Sequence, residues 1–174
     1  MRTKILLTAI TLIATLASCS DDSESLYSNY PVSFSCDASI HPYNIVHGYG
    51  EYIIITRNGA TAYKVQWAGN KELTVRLTAQ QAMYGNSFYG LSGLIIGTPS
   101  ACDGNIMAFD LACPHCEQAG RKLEVTHSLG HAHCEKCGSK FDLNSGGIPL
   151  EGPARRPLWQ YKVAKNGANI IITN

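Results

Sequence analysis

Two Cys-x-x-Cys pairs, Cys113-Pro114-His115-Cys116 and Cys134-Glu135-Lys136-Cys137, constrain this chain more than anything else in it. Two thiolates three positions apart on a tight turn can face one ion. Two such turns facing each other complete a tetrahedron with bonds of about 2.3 Å. The seventeen residues between the pairs suit that arrangement. Residues 122–126 alternate in polarity, Gly130 turns the chain and Ala132 leads back towards Cys134, so a β-hairpin brings the two turns together. Gly138 follows the second pair, where a residue tolerant of positive φ is useful. The competing arrangement is two disulfides, within each pair or crossed between them. Four histidines crowd the same region. His115 lies inside the first turn and is a candidate ligand, whereas His127, His131 and His133 read as exposed or supporting imidazoles.

The other end of the chain speaks about compartment. Arg2 and Lys4 precede an apolar run over residues 5–17, too short to span a bilayer and flanked like a secretory signal. It ends in Leu16-Ala17-Ser18-Cys19, which resembles the lipobox of bacterial lipoproteins. The resemblance implies cleavage before Cys19, lipidation of that cysteine and membrane attachment through the acyl chains, most simply at the outer membrane. Residues 1–18 are then a signal peptide. Residues 19–30, opening Cys-Ser-Asp-Asp-Ser-Glu, are an acidic flexible tether, and residues 31–174 form a single domain with its metal-binding part at about 110–145. Ordinary signal cleavage with an incidental cysteine is the alternative. Cys36 and Cys102 are left over, either bridged to each other or separate thiols.

Fourteen basic residues face thirteen acidic ones, and loss of Arg2 and Lys4 with the signal leaves the mature chain near neutrality. No basic stripe invites nucleic acid. Turn signals are frequent and helical periodicity is scarce. Residues 52–56 and 61–67 flank Asn58-Gly59 as a hairpin, and residues 73–77 alternate as a further strand. One or two helical turns fit residues 79–84. Residues 94–96 and 106–109 flank Asp103-Gly104, and residues 158–163 and 170–173 flank Asn166-Gly167, giving two more hairpins. The fold class is therefore all-β, a small sandwich or barrel. Trp67 and Trp159 read as core, and Tyr84, Phe88 and Tyr89 as packing residues or a docking loop.

Residues 93–163 resemble the Rieske domain family. Residues 94–97 and 103–110 look like the hairpin leading into its first cluster loop, and Cys113-Pro114-His115 matches that loop's C-P-H. Cys134 and Gly138-Ser139-Lys140-Phe141-Asp142 look like the second loop, and Gly152-Pro153-Ala154 like the closing segment. The resemblance implies a β-sandwich base bearing a smaller metal-binding subdomain, a 2Fe–2S cluster and one-electron transfer to a partner protein. Carried over by position, its ligands are Cys113, His115, Cys134 and Cys137. The sequence departs from the family where Cys137 replaces the second histidine and Cys116 adds a thiol.

Three centres follow: one zinc or one iron, as in rubredoxins, held by Cys113, Cys116, Cys134 and Cys137, or a 2Fe–2S cluster that takes His115 in place of Cys116. The corresponding functions are a redox-silent structural lipoprotein or an electron-transfer module, neither a stand-alone enzyme. A thiol–disulfide oxidoreductase is a third function, but it needs its first cysteine at a helix N-terminus, which this sequence does not offer.

Overall fold

The computed structural model describes residues 26–68, 70–83, 89–101 and 103–174. The signal segment, Cys19, Tyr84, Phe88 and Cys102 lie outside the described residues, and with them the lipid anchor and the Cys36–Cys102 pairing. Among the described residues twelve strands run in chain order: β1 (Ser33–Asp37), β2 (Glu51–Asn58), β3 (Ala62–Trp67), β4 (Lys71–Arg76), β5 (Leu94–Thr98), β6 (Met107–Asp110), β7 (Glu124–Thr126), β8 (His131–His133), β9 (Lys140–Asp142), β10 (Ile148–Glu151), β11 (Gln160–Asn166) and β12 (Asn169–Thr173). Among the described residues one short α-helix, α1 (Ala79–Met83), fills the expected helical turn. Eight strands make one antiparallel sheet in the order β1-β12-β11-β6-β5-β2-β3-β4. The other four make a small sheet, β10-β9-β8-β7. The chain is all-β, as its turn signals predict.

The small sheet has its place because of the uninterrupted apolar runs of β2 and β5. A strand with one wet face alternates, whereas Tyr52 to Thr56 and Leu94 to Thr98 are buried at every position. Successive side chains point to opposite faces, so these strands feed two cores. Ile53, Ile55, Leu94, Ile96 and Ala108 join Phe34, Ile170 and Ile172 across the curled sheet. Tyr52, Ile54, Ile95 and Phe109 face the other way, onto Leu123, Ala132, Phe141 and Leu143 beneath the small sheet. Burying each of these large side chains contributes about 1.5–3 kcal/mol. The small sheet therefore rides on the outer face of β2, β5 and β6, and Cys113 and Cys134 belong to that same core.

The expected hairpins are all present. β2 pairs with β3, β5 with β6 and β11 with β12, and Gly59, Gly104 and Gly167 take positive φ in their connections. The packed body begins before residue 31, however. Leu26–Asn29 forms a 3-10 turn, and Tyr27 is only 2% exposed against Leu91 and Ala112. Tyr27 falls within the stretch assigned to the tether, yet its ring is buried against the domain. Trp67 and Trp159, read as core, sit half-buried at its edge. Among the described residues no helix is long and apolar enough to cross a membrane.

Candidate metal centre

The first cysteine turn is set by a buried carboxylate at the end of β6. Asp110 is fully buried and accepts hydrogen bonds from the amides of Leu91 (2.7 Å), Ser92 (3.3 Å) and Ala112 (2.7 Å), and from the Tyr161 hydroxyl (2.7 Å). Burial pushes its pKa up, and the hydrogen bonds from Tyr161 and the three amides oppose that push. This network fixes the exit of the strand just ahead of Cys113. Tyr27 holds the same point from outside, its hydroxyl donating to the Ala112 carbonyl (3.3 Å) and its ring stacked on Trp159 with centroids 5.1 Å apart.

The two turns are built alike. The Glu117 amide donates to the Cys113 carbonyl (2.9 Å), and the Gly138 amide donates to the Cys134 carbonyl (2.8 Å). In each, the residue after the second cysteine takes positive φ, 73° at Gly138 and 41° at Glu117. The second turn is also closed at its base by the Cys134 amide and the Ser139 carbonyl (2.8 Å). β7 and β8 pair as the expected hairpin, with Gly130 left-handed between them at φ 63°. That hairpin carries Cys134 back to Cys113.

The four sulfurs converge. Cys113 Sγ lies 3.7 Å from Cys137 Sγ, Cys116 Sγ lies 3.8 Å from Cys134 Sγ, and all four lie within 4.8 Å of one another. A tetrahedron with metal–sulfur bonds of about 2.3 Å has an edge of about 3.8 Å, so the spacing fits one ion. It is well beyond the roughly 2.0 Å of a disulfide, and the four cysteines are free thiols. The group can hold one metal.

The surroundings treat the sulfurs unequally. Cys113 and Cys134 are buried, whereas Cys116 and Cys137 are partly open to solvent. Burial drives the Cys113 thiol well above the ordinary range, against amide hydrogen bonds from Cys116 and His115. Burial also raises Cys116, and the neighbouring thiols of Cys134 and Cys137 add to it. At Cys137 burial pushes upward too, but the Ser139 hydroxyl and amide, with Cys134 and Cys113 beside it, outweigh it and bring the thiol down to about 6.

Ser139 is the main residue that spacing alone does not reveal. Its side chain is fully buried, with Oγ 3.1 Å from Cys137 Sγ, and it accepts from the Ala154 amide (3.1 Å). That amide takes one of the oxygen's two lone pairs and the Cys137 S–H donates to the other, so once Cys137 is a thiolate the hydroxyl proton can turn to its sulfur. Gly152 makes the approach possible. It sits at φ 87°, and a Cβ there would fall 2.6 Å from Ser139 Cα. His115 is exposed and is not among the gathered ligand atoms. His127 is half-buried where the two sheets meet, and His131 and His133 lie on the outer face of β8. Cys113 is followed by a turn that runs on to β7.

No protein-family model and no curated protein matches the chain. Among solved structures it is similar to the ferredoxin of carbazole 1,9a-dioxygenase from Nocardioides aromaticivorans IC177. That likeness is distant, at 13% identity over 69% of this chain and 95% of the other, with a TM-score of 0.33.

Proposed function

We infer that this chain is an envelope lipoprotein whose β domain holds one iron between Cys113, Cys116, Cys134 and Cys137 and passes single electrons to an envelope partner. One observation carries the metal reading: four sulfurs from two separate turns, 3.7 and 3.8 Å across, gathered within 4.8 Å. A 2Fe–2S cluster spreads its ligands over two irons, and the Rieske kind calls on two histidines. Four sulfurs held this closely, with His115 exposed, suit a single ion better. Bound iron supplies one-electron exchange. The chain fixes the ligands, directs amide and hydroxyl hydrogen bonds at sulfur, and keeps water from the Cys113 and Cys134 side. The partly open Cys116 and Cys137 form the edge through which a partner exchanges the electron.

Zinc is the second reading, since four thiolates suit it equally. The short strands of the small sheet, three residues each in β7, β8 and β9, leave such a site a structural task. A closed thiolate site would tie the ends of those strands together.

Elemental analysis of anaerobically purified protein, with a visible spectrum and an acid-labile sulfide assay, separates these readings. One iron per chain without sulfide, and colour that bleaches on reduction, is the expected result. Two irons with sulfide would establish the cluster, and one zinc would remove electron transfer. The anchor is tested separately. Native protein should partition with membranes and carry acyl mass on Cys19, and Cys19→Ala should release it.

A further inference from the structure

The outer face of the small sheet carries metal-ligating groups apart from the four cysteines. β8 reads His131-Ala132-His133, and Ala132 is fully buried. Strand alternation turns both imidazoles to the opposite, solvent-facing side. The register sets carboxylates on both flanks, with Glu124 of β7 across from His133 and Asp142 of β9 across from His131. Asp142 is already engaged, since its oxygens accept from the Asn144 amide (2.9 Å) and the Ser145 hydroxyl (2.6 Å). Glu124 is exposed at the sheet edge. Lys140, also across from His133, is drawn away to Glu151 at 3.3 Å.

The spacing suits chelation. Positions i and i+2 of a strand stand about 6–7 Å apart. Directly opposed residues on neighbouring strands have Cβ atoms about 5 Å apart. Two imidazoles and one carboxylate so placed can close on a cation with bonds of about 2.0–2.2 Å. We propose that His131, His133 and Glu124 form a second seat for a divalent transition-metal cation, independent of the four-thiolate centre. Imidazole and carboxylate together select zinc, copper or nickel over calcium or magnesium. These ligand atoms are not drawn together as the four sulfurs are, so the side chains must turn to close on the ion. The seat is therefore weaker than the thiolate centre and keeps at least one position for water.

Equilibrium dialysis of the full chain against rising Zn2+, read by elemental analysis, tests this. The thiolate centre is counted as the equivalent that survives gel filtration. The native protein should take up one further, exchangeable zinc per chain. His131→Ala/His133→Ala should lose it while keeping the first, and Glu124→Gln should bind it at least 10-fold more weakly. In the native protein, the imidazole NMR signals of His131 and His133 should move together on addition of the second equivalent. No exchangeable zinc in the native protein, an undiminished one in the double variant, or imidazole signals that stay still would overturn the proposal. Loss of the first equivalent alone would count against the thiolate reading and leave this one standing.

Discussion

Ser139 links the sulfurs to the rest of the domain, standing between the Ala154 amide and Cys137 Sγ at 3.1 Å from each. Groups that hydrogen-bond a metal ligand fix its orientation, and their loss typically weakens metal binding about 10–100-fold. Ser139→Ala should show a loss of that size in competition with a chromogenic chelator, with little change in the strands below. Gly152 controls the same contact through backbone. Any Cβ at φ 87° is strained, and here it would also meet Ser139 Cα at 2.6 Å. Gly152→Ala should cost about 2–4 kcal/mol in chemical denaturation and speed metal loss to a chelator, since the loop must lift off the turn. The symmetry of the two turns was only half legible at this scale. Gly138 announces a left-handed residue, whereas Glu117 adopts the same region with nothing in its side chain to signal it.

Among the elements, the large and small sheets differ in what holds them. β2, β5 and β6 lie between two cores and feed both, whereas β7, β8 and β9 are three residues each. Three-residue strands make few ladder bonds and bury little, so their order depends on what ties their ends together. Removal of the metal by a chelator should therefore loosen the small sheet selectively. Amide exchange in β7–β10 should rise by an order of magnitude or more while β2, β5 and β6 stay protected. Uniform exchange across both sheets would mean that the centre holds the whole domain. This division also explains what the sequence revealed. The hairpins of β2–β3 and β11–β12 carry Asn-Gly turns and clear strand patterns, and the Cys-x-x-Cys spacing points directly to the four sulfurs that the fold gathers. β1, a serine-rich pentapeptide, and the short β9 and β10 have too few residues for a period to stand out.

At the scale of the molecule, the joint between the two sheets contains a titrating group. Burial depresses the pKa of His127, and Glu51 and the Tyr52 backbone oppose that shift only in part. The folded value lies below the 6.5 of the unfolded chain. Between the two values the unfolded chain binds more protons, so stability falls as pH drops through 6.5 and the whole contribution is gone below the folded pKa. His127→Gln should flatten that part of the acid limb. From pH 7 to pH 5 the melting temperature of the native protein should fall further than that of the variant, and parallel curves would show that His127 is not coupled to folding. The burial of Tyr27 beside Ala112, one residue ahead of Cys113, constrains the molecule on a larger scale. Seven peptide steps from Cys19 to Leu26 cannot extend beyond about 25 Å. With a lipid on Cys19, the leash is short and fastened at the metal end, so an electron partner would meet this protein close against the bilayer.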